Sequence, residues 1–170
     1  IIAKIYNCSN EMINILSMLD AIKLNMNSLF ITPANILKSD SYDEKYKKSL
    51  ESRYNKAKSS FKHKYGDHIS LLNVFNKFNA MFDKHADKPD YVNDWVMAKF
   101  LKIDALMKAR LYAKKLRNSV RAIIPRELNA VDVGLDYNEE IDWLDVPDRV
   151  MTCLVLGHRL NRAFIGKDNT

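Results

Sequence analysis

Apolar residues recur at three- and four-residue spacing through most of this 170-residue chain, and the residues that interrupt helices are scarce, with Gly 4 and Pro 4. A helix turns once every 3.6 residues, so this spacing gathers apolar side chains on one face, whereas a strand needs alternation. An all-β fold would also need more turn residues. The length suffices for one domain with a core, or one domain plus a fragment of the next. The expected fold is therefore mostly α, a helical bundle.

The spacing places the elements. Ser9 is a plausible N-cap for a helix with Met12, Ile15, Leu16 and Leu19 on its inner face, ending near Asp20. Asn27 to Pro33, "NSLFITP", is an apolar run closed by proline and predicts an extended segment or a loop crossing the core. Asp40 or Ser41 can cap a highly charged helix whose inner stripe is Tyr46, Leu50, Tyr54, Ala57 and Phe61. Asp67 is predicted to cap the next helix, with Gly66 permitting the turn into it and Leu71, Leu72, Phe75, Phe78 and Phe82 on one side. Pro89 ends that helix, Asp90 can cap the next, and Tyr91, Trp95 and Ala98 start its apolar stripe. Arg149 onward reads as a helix to Leu156 with a break at Gly157.

Charge is segregated along the chain, whose formal net charge is +6. Residues 99–121 hold eight bases against one acid, Asp104; residues 122–148 hold eight acids against one base, Arg126. The first block attracts a polyanion and the second repels one. Read as one continuous helix, 99–121 places Leu101, Ala105, Ala109, Tyr112, Ala113, Leu116 and Val120 in an arc of roughly 120°. Lys99, Arg110, Lys114, Arg117 and Arg121 then fall in an adjacent arc of roughly 60°. A basic stripe beside a buried face suits a helix that packs by one edge and offers the other to phosphates; the bland alternative is a solvated lysine face.

Other chemistry lacks its motif. No GxxxxGK[ST] run occurs and no GxGxxG follows a strand, so no nucleotide-hydrolysing site is expected within these residues. His63, His68, His85 and His158 do not complete a ligand set with nearby acids, so no metal site is expected. Gly66-Asp67-His68 reads as a helix start; an acid–base role would need a cleft. Cys8 and Cys153 are far apart in sequence and without metal spacing, which suggests free thiols in a reducing compartment. No apolar run approaches the roughly 18 residues of a membrane span. The opening "IIAKIYNCS" reads as the tail of a helix already under way, which suggests a piece of a longer chain.

Several segments together resemble the helicase-associated region of DEAH-box RNA helicases. They are "YNCSNEMINILSML" (Tyr6 to Leu19), "SLFITP" (Ser28 to Pro33), "AKSSFKHKYGDHISLLNVFNKF" (Ala57 to Phe78) and the spacing of Trp95, Leu106, Ala109 and Leu116. "VMTCLVLGHRLNRAF", Val150 to Phe164, is similar to the segment that leads those proteins into an oligonucleotide-binding fold. The resemblance covers nearly the whole chain, and "GDHISLLNVF" is its most specific part. Two positions depart from it: Asp104 and Ala113 stand where family members usually carry arginine. A charged insertion over 34–56 is longer than the family's usual connection.

The resemblance implies a ratchet-like helical bundle over 1–148, with 122–148 an acidic connector and 149–170 leading toward an OB-fold domain. It implies a non-catalytic accessory domain that grips single-stranded RNA beside a RecA-like motor, with Lys102, Lys108, Arg110, Lys114 and Arg117 as the RNA contacts. No cofactor is expected in this fragment; ATP and Mg belong to the parent's motor domains. Its expected partners are RNA, the RecA-like, winged-helix and OB-fold domains of the same parent chain, and a glycine-patch activator, with no membrane. The expected location is intracellular: the nucleus by resemblance, with the cytoplasm or a virion as alternatives. A different class competes, a protein-interaction scaffold in which the basic helix docks on the acidic 122–148 stretch or on a partner. A DNA-reading helix-turn-helix would need a compact three-helix unit with a separate recognition helix, and none stands out.

Overall fold

A computed structural model describes Ala3 and residues 8–37, 42–123 and 145–157. The chain forms two compact units, one of Ile13–Ile124 and one combining Ile1–Met12 with Pro125–Thr170. Among the described residues the structure is helical: α1 Ser9–Ala21, α2 Pro33–Ile36, α3 Glu44–Ser59, α4 Asp67–Lys84, α5 Pro89–Ala98, α6 Ile103–Ile123 and α7 Val146–Gly157. The expected bundle is present. The expected division between residues 148 and 149 falls inside α7, which runs through it unbroken. The helix expected up to Leu156 ends at Gly157, while the remainder of the segment leading toward an OB-fold, and the acidic stretch over 124–144, lie outside the described residues.

The larger unit is built around α4, whose Leu71, Val74, Phe75 and Phe78 are almost fully buried in one core with Val92 and Val96 of α5 and Leu106, Ala109 and Ala113 of α6. Alanines four apart let the α6 backbone approach its neighbours closely. Met18 and Ile22 join from the α1 side, and Leu29 and Phe30 from the segment that follows it. Burying such side chains contributes about 1.5–3 kcal/mol each before the entropy of ordering is subtracted.

Residues 29–31 cross this core, as "NSLFITP" predicts. Met26–Leu29 forms one 3-10 turn, and Phe30 then runs extended, forming an antiparallel bridge with Leu101. Ile31 N–H donates to the Phe100 carbonyl at 2.8 Å, and Lys102 N–H to the Leu29 carbonyl at 2.9 Å. With that crossing in place, 99–121 is not the one continuous helix assumed in placing its faces. α5 stops at Ala98, and α6 starts at Ile103. The stop is a Schellman cap: Leu101 N–H donates to the Val96 carbonyl and Phe100 N–H to the Met97 carbonyl, both at 3.0 Å. Its left-handed position is filled by Phe100 (φ 55), not by the usual glycine. A left-handed non-glycine residue costs about 1–2 kcal/mol, which burial of its ring offsets. Phe100 packs with Leu50 and Ala57 of α3 and meets Tyr54 edge-on at 5.6 Å. The charged insertion is thereby docked on the bundle.

Some predicted faces are rotated. Leu16, Tyr46, Tyr91 and Ala98 are exposed, while Ile13, Val92 and Val96 are buried in their place. Helical spacing alone leaves about one residue of freedom in the choice of face, and the tertiary neighbours decide it. Leu50, Ala57 and Phe61 are buried as expected. Asp40 and Ser41 lie outside the described residues, and α3 has Asp43 at its N-cap. α5 has Lys88 at its N-cap and Pro89 first in the helix, so Asp90 lies inside the first turn.

The start of α4 also differs from expectation. Gly66, not Asp67, is the N-cap, and Asp67 is the first helical residue. Gly66 has φ 89 and ψ −162, a region essentially restricted to glycine. The buried Ser70 pins the turn, its hydroxyl donating to the Gly66 carbonyl at 2.8 Å and accepting from His63 N–H at 3.0 Å. Asp67 contributes only its charge beside the free amides of the first turn. Gly66→Ala is expected to lower stability by about 1–3 kcal/mol although an added Cβ meets no atom within 4 Å. Asp67→Ala is expected to cost less than about 1 kcal/mol. Urea unfolding of the two variants checks the order, and a larger loss for Asp67→Ala would restore it as the cap.

Candidate nucleic-acid interface

The break before Ile103 distributes the basic block over three places. Lys99 is the C-cap of α5 and lines a groove with Lys77, Lys84 and Trp95. Lys102 and Lys108 line a second groove of about 480 Å³, together with Lys23, Asn25 and Ser28. Arg110 and Arg117 lie in the seams of the bundle, at hydrogen-bond distance from α4 and α1. Of the five expected contacts, Arg110, Lys114 and Arg117 share one edge of α6 within roughly 60°, whereas Lys102 precedes that helix and Lys108 lies off the edge. At 100° per residue Lys114, which is exposed, sits roughly 120° around α6 from Lys108.

Arg110 is held on three sides. One guanidinium nitrogen donates to the Asn79 side-chain oxygen and another to Asp83, both at 2.6 Å, while its carbon lies 4.4 Å from the Phe82 ring centre. Asn79, Phe82 and Asp83 all belong to α4, so this clamp ties α6 to it. Arg117, two turns further along α6, donates to the Asn14 side-chain oxygen at 2.7 Å, and the Asn14 amide donates to Asn76 at 3.4 Å. Asn14 is buried, so its polar atoms need these partners. Sequence spacing missed Asn14, Asn76, Asn79 and Asp83, because a polar residue on a helix reads as solvated until its neighbour is known. The one available signal was the i, i+3, i+7 spacing of Asn76, Asn79 and Asp83 on α4.

The second groove gathers cations from different elements. Lys23 comes from the left-handed turn that ends α1 (φ 51), Lys102 from the crossing segment and Lys108 from the second turn of α6. All three are exposed. Asp104, one of the departures from the family pattern, lines the same groove and partly offsets them. Ala113, the other departure, is buried in the core, so that position offers nothing to a ligand. The arrangement suits a phosphate backbone held by point charges with little regard to sequence.

His68 and Asp67 are exposed at the start of α4, with no enclosing cleft among the described residues, and the turn is structural. No group of His, Cys, Asp and Glu among the described residues could hold a metal ion. In the smaller unit, Cys8 and Cys153 are both buried, unlinked and adjacent although 145 positions apart. The Cys8 sulfur lies 3.9 Å from the Arg149 carbonyl of α7. Burial, and then the neighbouring Cys153, push the Cys8 thiol up to about 12. Cys8 therefore does not resemble an activated nucleophile, whose thiol is shifted downward.

Two outcomes follow for the seam and the thiol. Arg110→Gln is expected to destabilise by about 1–2 kcal/mol, with less than about 1 kcal/mol of that coupled to Asp83 in a double-mutant cycle, since the pair is partly solvated. The Cys8 proton favours the folded state fully below the unfolded value near 9, and this contribution is lost as pH rises toward about 12. A urea midpoint that falls above pH 9, and falls less in Cys8→Ala, checks it.

No curated protein matches the chain. Residues 1–71 match the family model described as helicase associated domain (HA2), ratchet-like. That stretch takes in α1, the crossing segment, the docked insertion and the Gly66 turn into α4. Over that stretch, and in its helical character, the chain is similar to the ratchet-like part of a helicase-associated domain.

Proposed function

We infer that this helicase accessory domain holds single-stranded RNA beside the ATP-driven motor of a DEAH-box protein, without catalytic chemistry of its own. The observation that carries this reading is the convergence of Lys23, Lys102 and Lys108 on one groove of the bundle. Lys114 adds a further exposed cation on α6, whereas Arg110 and Arg117 act by keeping α6 in register with α4 and α1. Lysine ammonium groups on a rigid scaffold hold phosphates through charge, so the strand can be gripped at any sequence and released when the motor cycles. ATP and Mg belong to RecA-like domains of the parent protein in this reading. Winged-helix and OB-fold domains complete the channel, a glycine-patch protein is the candidate activator, and the nucleus is the candidate location.

The test is binding of a labelled oligouridylate to the chain across a salt series, followed by anisotropy. Lys102→Glu with Lys108→Glu is expected to weaken binding at least tenfold and to lower the log–log salt slope by about 1.4, at about 0.7 per phosphate contact. Lys45→Glu with Lys48→Glu on α3, an equal change of charge, is expected to do much less. Equal losses in the two pairs would leave only net charge as the cause and would sink the groove assignment.

A further inference from the structure

The groove that takes Lys99 out of the basic block has a composition the second groove lacks. α4 contributes Lys77, Met81 and Lys84, which share one face of that helix at i, i+4 and i+7. Trp95 and Lys99 come from α5, and Phe61 from the turn that ends α3. The hollow is about 420 Å³, and no acidic residue lines it among the described residues. None of the three lysines is in an ion pair among the described residues. Lys77 is held in place, its ammonium 3.4 Å from the Ser60 carbonyl and 5.2 Å from the Phe61 ring centre. Trp95 is half-buried and packs against the core, so its indole is ordered before any ligand arrives.

We propose that this groove is a base-stacking subsite for single-stranded RNA, with one base lying on Trp95 and the adjoining phosphates met by Lys77, Lys84 and Lys99. The identity of the ligand rests on the RNA-holding reading above; the site is separate from the Lys23, Lys102 and Lys108 groove. An ordered aromatic beside a groove of unneutralised cations is the combination that holds single strands regardless of sequence, because every base has a π-face and every linkage a charge. Lys77 and Lys84 are two helical turns apart, roughly 10 Å along the axis, and so can serve successive phosphates. The subsite gives the domain a contact to the base in addition to its contacts to the backbone.

The chain has two tryptophans, so Trp143→Phe leaves Trp95 as the sole indole emitter. Titration of this variant with an oligouridylate is expected to quench Trp95 emission in step with the rise in anisotropy of the labelled strand. Lys77→Gln, Lys84→Gln and Lys99→Gln together are expected to flatten the log–log salt slope by about 2, at about 0.7 per phosphate. Trp95→Ala is expected to weaken binding about tenfold or more, and Trp95→Phe to keep most of the affinity because it keeps both a stacking face and the core packing. Rising anisotropy with unchanged Trp95 emission would overturn the subsite while leaving the RNA-holding reading intact. Quenching by a glutamate-rich peptide with a leucine anchor, and not by the oligouridylate, would make the groove a peptide dock and overturn the proposal. No response in either signal would overturn the subsite and the RNA-holding reading together.

Discussion

The crossing of residues 29–31 over 100–102 is the contact on which the larger unit depends. Two backbone hydrogen bonds, which together make one antiparallel bridge, join segments about seventy positions apart, with Leu29 and Leu101 fully buried at the contact. In a helical bundle most hydrogen bonds are local, so a bridge of this kind sets an arrangement that helix propensity cannot. It ends α5, sets the starting point of α6, and turns Phe100 toward α3, where it seats the insertion.

That one constraint also organises the charge. A continuous helix from Lys99 would have placed Lys99 on the edge shared by Arg110, Lys114, Arg117 and Arg121. Because the chain is interrupted, Lys99 faces one groove, Lys102 and Lys108 another, and the arginines of α6 reach back into the bundle. The difference between lysine and arginine matters here. The planar guanidiniums of Arg110 and Arg117 engage side-chain oxygens of neighbouring helices, whereas the lysines that line the grooves remain point charges open to solvent. Structural and ligand-facing roles are thus divided by residue type within a single basic block.

The thiol pair lies in the smaller unit. Cys8 and Cys153 read as unrelated in sequence, yet they are buried side by side in the unit that joins Ile1–Met12 to Pro125–Thr170. Burial keeps the Cys8 proton in place and makes the pair a packing element. The match to a ratchet-like helicase-associated domain covers residues 1–71, and so includes Cys8 and the crossing strand at Phe30 but ends before the lysines of both grooves, other than Lys23.

What the sequence determined by itself was local. Helical spacing and the scarcity of glycine and proline required a mostly α bundle, Pro89 marked a true helix start, and Leu71 to Phe78 identified the core face of α4, because each depends on residues within one or two turns. The Gly66 turn was legible to within one residue; its pin, Ser70, was not, since a serine in a helix gives no sign of bonding backward to the preceding turn. Only the tertiary structure decided where α5 ends, because the left-handed cap there is filled by Phe100, whose cost is met by contacts with α3 that no local pattern encodes. The same holds for Asn14 and Asp83, and for the choice of Lys77, Lys84 and Trp95 as neighbours of Lys99. A polar or aromatic residue acquires its role from what stands across the seam, and that is settled by packing between helices distant in sequence.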